Sequence, residues 1–427
     1  MIQLINGNCL VELKTLADNS VDSIVTDPPY ELGFMGKSWD NSGIAYNVDM
    51  WKECLRVLKP GGHLLAFSGT KTYHRMASAI EDAGFEVRDM IEWVYGSGFP
   101  KSLNIGKAVD KLQGNERKII GLNPNARDGG GNVQIVQKRK EDILTKGTSE
   151  WEGWGTALKP AHEPICMARK PISEKTVAEN CLKYGTGGIN IDESRVATTE
   201  DLSINGNRNN VKSHWGNSEG ESKVEASPLG RFPANLIHDG SDEVVACFPE
   251  TKGEIHNKKS TGNSMFMGDG VQGSKRGFSI KDNGNASRFF KSILYYPKAS
   301  KSERNKGCEG LEIKQNLQGL DNRGRTLKRE DGSKTLVDRF SKTPATNNHP
   351  TVKPIALMEY LIKMVTQKGG TVLDPFMGSG STGCAAVVNN FNFIGIDMTP
   401  EYIEIAKCRI SEWSKKKNQV KQKTLFE

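Results

Sequence analysis

Between Thr371 and Asp397 the chain reads TVLDPFMGSGSTGCAAVVNNFNFIGID. A short β-branched run ends in an acid, glycines at 378, 380 and 383 form a turn, a small-residue helix follows, and a second apolar run ends in a second acid. Strand, glycine turn, helix and strand in this order form the opening half of a mononucleotide-binding fold. Such strands are buried only within a parallel sheet covered by helices on both faces. Here the unit lies near the C-terminal end of 427 residues, so the rest of its sheet must come from the other end of the chain.

The first hundred residues supply it. IQLI (2–5) and DSIVT (22–26) read as strands, with a short helix over Leu10 to Leu16 between them. NVDMWKECLRVLKPGG reads as an amphipathic helix with Met50, Leu55 and Leu58 among its apolar positions, stopped by Pro60 and a glycine pair. HLLAFS, a helix from about Lys71 to Ala83, and FEVRDMIEWVYG continue the alternation. The expectation is an α/β fold: a doubly wound, mostly parallel, Rossmann-like sheet assembled from both chain ends. Residues 121–150 are polar and glycine-rich and read as an insertion, after which HEPICMARKP (162–171) resumes a strand. Residues 173–345 carry much Gly, Asn, Ser and Lys with brief apolar pieces and read as an inserted, irregular α+β domain. HPTVKPIALMEYLIKMVTQKGG then gives a helix entered through Pro354 and ended at Gly369-Gly370. The expected division is therefore 1–172, 173–345 and 346–427.

Composition excludes several classes. No window approaches the roughly 18 apolar residues of a membrane span, and the N-terminus lacks the pattern of a signal peptide, so a cytoplasmic protein is expected. The eight cysteines and seven histidines are scattered, without a CxxC pair or zinc spacing, and no metal site is expected. Residues 1–99 hold 8 Lys and Arg against 13 Asp and Glu, residues 100–345 hold 40 against 31, and residues 346–427 hold 10 against 7. The basic middle suits a polyanionic partner, and equally an ordinary solvated surface.

Two constellations carry chemistry. At the glycine turn, Asp374 ends one strand and Asp397 ends the next, where a carboxylate can accept ribose hydroxyls. Asp374, Pro375 and Phe376 separate strand from glycines, so the turn is not the dinucleotide fingerprint. An acid there repels a pyrophosphate and attracts an ammonium group, which favours S-adenosylmethionine over NAD. Phe376 either packs on an apolar part of that ligand or opens the helix as a core residue. The second constellation is SIVTDPPYELG (23–33), an apolar strand that stops at an acid, two prolines and a tyrosine. Alone it reads either as a rigid strand exit capped by Asp27 or as a site.

Together these segments resemble the β-class amino-methyltransferases of DNA, which modify exocyclic amines of adenine (N6) or cytosine (N4). DPPY (27–30) matches their catalytic motif, DPFMGSG (374–380) their cofactor turn, and HPTVKP (349–354) the segment before it. NGNCL (6–10) is similar to a further cofactor segment, with Asn8 where relatives commonly carry Asp, and FIGID (393–397) to another. The resemblance implies direct methyl transfer from S-adenosylmethionine, leaving S-adenosylhomocysteine, to an adenine N6 flipped out of double-stranded DNA. The same fold acting on cytosine N4 is the alternative, and a DNA-binding protein that keeps the pocket without turnover a lesser one. Asp27 and the Pro28 carbonyl would accept from the amine, Pro29 would stiffen the backbone, and Tyr30 would stack on the base. Asn8, Cys9, Thr351, Lys353, Asp374, Phe376, Gly378, Gly380 and Asp397 would bind the cofactor, Thr351 and Lys353 at its carboxylate. Residues 173–345 occupy the target-recognition position, where Arg323, Arg325, Lys328 and Arg329 form the densest basic cluster, suited to phosphates. The basic KKKNQVKQK segment reads as a solvated tail adding nonspecific DNA affinity. A homodimer and a separate cognate endonuclease are left open as partners, and a bacterial, phage or plasmid origin is expected.

Overall fold

The structure is a computed structural model. It describes residues 1–32, 38–98, 102–122, 143–198, 200, 204–207, 212–213, 216–217, 221–224, 227–251, 284–293, 301–311, 326–328, 334–336 and 346–424.

Among the described residues nine strands form the central sheet: β1 (Ile2–Asn6), β2 (Val21–Thr26), β3 (Leu58–Phe67), β4 (Glu86–Val94), β5 (His162–Arg169), β6 (Leu236–His238), β7 (Lys291–Ser292), β8 (Thr371–Asp374) and β9 (Asn392–Asp397). They lie in the order β1-β9-β8-β2-β3-β5-β4-β6-β7. All neighbours pair parallel except β5, which runs antiparallel to both β3 and β4. The two chain ends interleave as expected, because β9 and β8 insert between β1 and β2.

Side chains alternate across this sheet with period two. Val25, Leu65, Val372 and Phe393 enter one apolar cluster, which includes residues of the helices Ile355–Val365 (α3), Ser381–Val388 (α4) and Pro400–Thr424 (α5). Their chain neighbours Ile24, Leu64, Leu373 and Ile394 enter the opposite cluster with Met50 and Trp51 of the helix Val48–Val57 (α1) and Met76 and Ile80 of the helix Tyr73–Asp82 (α2). α3 buries eight of its eleven residues, each large apolar side chain contributing about 1.5–3 kcal/mol. Gly383 of α4 faces Phe393 and Ile410, leaving no room for a side chain.

Several expectations are revised. Pro60 and the glycine pair do not end α1, which stops at Val57; they lie inside β3, where the register against β2 shifts between Val21 and Ser23. The Pro60 carbonyl in this irregularity accepts from Asn180 Nδ2 at 2.9 Å and Thr186 Oγ1 at 2.6 Å. Those donors, and strands β6 and β7, belong to the segment 173–345, so part of it is built into the sheet rather than set apart from it. The compact unit separable from the rest is instead Ser97–Ala161, with a helix over Ile105–Gln113 and an antiparallel pair Lys118–Leu122 and Ile143–Lys146. Within it Arg117 ties Asp110, Thr145 and Glu152 together. The basic KKKNQVKQK segment continues α5 rather than forming a separate tail.

Gly383→Ala should test the packing of α4, because its methyl would stand 2.4 Å from Ile410 Cδ1. An overpacking cost of about 1–3 kcal/mol is expected, read as a lower urea midpoint at unchanged slope.

Candidate active site

β2 and β8 are neighbours and end side by side, so the segments that follow them, DPPY and DPFMGSG, meet at the carboxyl edge of the sheet. Ligands of open α/β sheets bind at this edge. Thr26, the last residue of β2, donates to Asp374 Oδ1 at 2.7 Å; Thr382 of α4 donates to Oδ2 at 2.6 Å; the Phe376 amide donates to Oδ1 at 3.1 Å. Asp374 is 2% exposed and both oxygens are engaged, so its carboxylate holds the turn and does not face a ligand. Burial raises its pKa to about 6 against the opposing pull of these hydrogen bonds.

The turn itself is shaped for close approach. Gly378 has φ +52°, and a Cβ there would lie 2.6 Å from His349 Nε2. Its amide donates to Asp397 Oδ2 at 2.9 Å, and Asp397 is half-buried at the end of β9. Gly380 caps α4 at φ +78°, and Phe376 is half-buried against the α1/α2 cluster. Beneath the turn, fully buried Arg409 donates from Nη1 to the Ser379 carbonyl at 2.6 Å and to its Oγ at 3.0 Å. His349 Nδ1 lies against the Thr351 carbonyl, which can only accept, so Nδ1 carries the proton and Nε2 is left as an acceptor beside the turn. Burial lowers this imidazole to about 4, keeping it neutral at pH 7. Thr351 is exposed. Asn8 caps a short helix by accepting from the Leu10 amide at 3.0 Å, and Cys9 is buried, its thiol pushed by burial up to about 11.

The DPPY segment carries an ionic cluster. Lys353 Nζ lies 2.7 Å from Asp27 Oδ2 and 3.3 Å from Glu163 Oε2, and donates to Tyr30 Oη at 3.0 Å. Tyr30 in turn donates to Glu163 Oε2 at 2.8 Å. The Lys353 ammonium lies over the rings of Tyr30 and Phe67, with Nζ 5.2 and 4.8 Å from their centroids. Burial opposes the ammonium's charge, but Asp27 and Glu163 outweigh it and hold its pKa above the ordinary value. Burial, then those two charges, push the Tyr30 phenol well above its ordinary range. Asp27 Oδ1 is buried and has no hydrogen-bond partner among the described residues. Pro28 is buried and Pro29 half-buried. Directly after Tyr30, Glu31 adopts φ +55°, held by its amide donating to Asp40 at 3.0 Å and by its carboxylate accepting from the Gly43 amide at 2.8 Å. A non-glycine residue in this region is strained, and the loop is built to hold it.

The structure thus brings together Asp27, Tyr30 and Lys353 on one side and Asp374, Phe376, Gly378, Gly380 and Asp397 on the other. Lys353 is engaged by Asp27, Glu163 and Tyr30 rather than standing as a free cation for a cofactor carboxylate. Arg323, Arg325 and Arg329 lie outside the described residues, and Lys328 ends a short strand whose side chains are not described. Sequence reasoning did not single out Glu163, Thr26, Thr382, His349 or Arg409. His349 opens the HPTVKP segment; the others carry no local signal, because only the pairing of distant strands and helices brings them to the site. Among the described residues no cluster of His, Cys, Asp and Glu could hold a metal ion, and no helix is long and apolar enough to cross a membrane.

The family model described as DNA methylase (N6/N4) matches residues 21–408. The chain belongs to this family, whose methyl donor is S-adenosylmethionine. It is 25% identical over 228 residues to the Type II methyltransferase M.HindIII of Haemophilus influenzae, covering 43% of this chain and 63% of that protein. To the DNA adenine methyltransferase YhdJ of Escherichia coli it is 44% identical over 63 residues, 15% of this chain and 21% of that one. The chain thus spans less than two thirds of the length of these curated relatives. The solved structure of TTHA0409 from Thermus thermophilus, complexed with S-adenosyl-L-methionine, aligns at TM-score 0.40 and 16% identity over 97% of this chain and 96% of that one. The residues of the site fit S-adenosylmethionine. The side-chain-free turn at Gly378, half-buried Asp397 and Phe376, and the acceptor nitrogen of His349 suit a cationic nucleoside.

The raised pKa of Asp374 has a testable sign. Because the folded value of about 6 exceeds the ordinary 3.8, the folded state binds the proton more tightly. The group's contribution is fully present below pH 4 and is lost as pH rises to 6. The stability of the wild type relative to Asp374→Asn should therefore fall between pH 4 and 6 and level off above, as measured by urea denaturation.

Proposed function

We propose that this chain is a site-specific DNA methyltransferase that passes the methyl group of S-adenosylmethionine directly to the exocyclic N6 of a flipped adenine. The observation that carries this reading is the buried, unpartnered Oδ1 of Asp27. Leaving a buried carboxylate oxygen without a donor is costly, and an incoming N–H removes that cost. An exocyclic amine is a weak nucleophile because its lone pair is delocalised into the ring. Acceptors at Asp27 Oδ1 and the Pro28 carbonyl draw its hydrogens out of plane and localise the lone pair. Pro28 and Pro29 fix the backbone that carries those acceptors. Tyr30, held by Glu163 and Lys353, offers its ring to the base.

S-adenosylmethionine supplies, when bound, a methyl group on a cationic sulfur. With the cofactor bound, the Asp27 carboxylate and the Pro28 carbonyl would hold the amine for transfer, and Asp27 would accept the proton that the methylated nitrogen loses. Holding the base at the end of β2, beside the turn that follows β8, would provide much of the acceleration. The aspartate that opens the motif supports adenine over cytosine, as does the similarity to an adenine methyltransferase. Residues 173–345, apart from the two strands in the sheet, are the proposed target-recognition region for double-stranded DNA, with Arg323, Arg325, Lys328 and Arg329 as phosphate contacts. The cytoplasm is the proposed location.

Unmethylated DNA incubated with the protein and isotope-labelled S-adenosylmethionine, then digested for nucleoside mass spectrometry, should yield labelled N6-methyladenine. Labelled N4-methylcytosine would move the target to the other base, and no label in either would overturn the reading. Asp27→Ala should lower transfer by at least about 1000-fold, since it removes an acceptor of the kind worth 10²–10³ in rate and the proton's destination as well. Cofactor affinity by calorimetry should remain within a few-fold.

A further inference from the structure

Glu163 is a half-buried charge whose only part in the methyl-transfer scheme is to hold Tyr30, although it also touches Lys353. It is the second residue of β5, with its side chain 21% exposed, and its Oε2 both accepts from Tyr30 and lies 3.3 Å from Lys353. Lys353 sits between two carboxylates, closer to Asp27 at 2.7 Å. An ammonium freed from Glu163 would turn that donor onto Asp27, the only other carboxylate it contacts among the described residues, and cover both oxygens. Oδ1, the oxygen left open in the structure, would then be occupied.

We propose that Glu163 is a positioning residue that restrains Lys353 so that it engages one oxygen of Asp27 and leaves the other free for the target amine. Resting on the methyl-transfer reading above, this gives the cluster two functions. One is geometric: Glu163 fixes Tyr30 and Lys353 through a single oxygen that both of them share. The other is electrostatic: two carboxylates and one ammonium leave one net negative charge, facing the place where the amine becomes cationic during transfer. Losing either carboxylate neutralises the cluster, whereas losing the lysine leaves two uncompensated anions.

This arithmetic makes a double-mutant cycle decisive. Glu163→Gln should lower kcat roughly 10- to 100-fold, the loss expected when a charged hydrogen-bond partner is removed, with cofactor affinity and KM for DNA within about twofold. Lys353→Met should lower the thermal midpoint most of all the variants, because Asp27 and Glu163 then repel one another. The double variant again has a single anion, at Asp27, with no lysine to cover it. It should recover at least tenfold in kcat over Glu163→Gln and regain the midpoint lost in Lys353→Met. Glu163→Asp, which keeps the charge, should lose less than Glu163→Gln. Additive losses in kcat and midpoint, or equal losses for Asp and Gln, would overturn the proposal alone. A wild type that transfers no label to either base would overturn the methyl-transfer reading and this inference with it.

Discussion

The carboxylate of Asp374 is the joint on which the site depends. It is reached by Thr26 from a strand 348 positions earlier in sequence, by Thr382 from the helix that follows the turn, and by the amide of Phe376 within the turn. One buried group therefore fixes the end of β2, from which Asp27 projects, relative to the glycine turn. Burying it raises its pKa to about 6, a cost offset by three donors. Catalysis by alignment tolerates little slack between two reactants. Joining the two strand ends through a shared side chain, rather than through surface loops, limits that slack.

Electrostatics divide the site in two. On the turn side, the groups beside the glycines are neutral or anionic: His349 is kept neutral by burial, and Asp397 accepts from the Gly378 amide. On the DPPY side, Lys353 is held charged by Asp27 and Glu163 despite burial. The turn side thus offers a carboxylate and an imidazole lone pair, and the lysine on the DPPY side lies between two carboxylates. Arg409 lies beneath the turn and is engaged by the Ser379 carbonyl and hydroxyl, so it braces the backbone.

Much of this was legible in sequence. The glycine turn, the acids ending β8 and β9, and the alternation of strand and helix led to the sheet, to its assembly from both chain ends and to the DPPY segment. Periodicity failed where the fold depends on something other than burial. Pro60-Gly61-Gly62 read as a helix stop but lies in an irregular stretch of β3, because donors from Asn180 and Thr186 satisfy a carbonyl the neighbouring strand does not. Likewise, Leu236–His238 and Lys291–Ser292 are too short to announce themselves, yet parallel pairing of the first with β4 and of the second with the first makes them strands. From sequence Lys353 reads as a contact for the cofactor's carboxylate, since the partners it has in the structure lie 326 residues away at Asp27 and 190 away at Glu163.

The direction of a strand is a further property that apolar alternation does not encode, and the site turns on it. β5 reads as an ordinary run of core residues, and its burial pattern would be the same in either orientation. Its pairing with Phe67 at Ile165 and with Trp93 at Glu163 shows that it starts where its neighbours β3 and β4 end. A parallel β5 would have put its first residues at the opposite edge of the sheet, away from DPPY. The single reversed strand is what delivers an acid from the beginning of a strand to the carboxyl edge. Glu163 therefore reaches Lys353 and Tyr30 from rigid sheet backbone, with its position set by the ladder to β4 rather than by a loop.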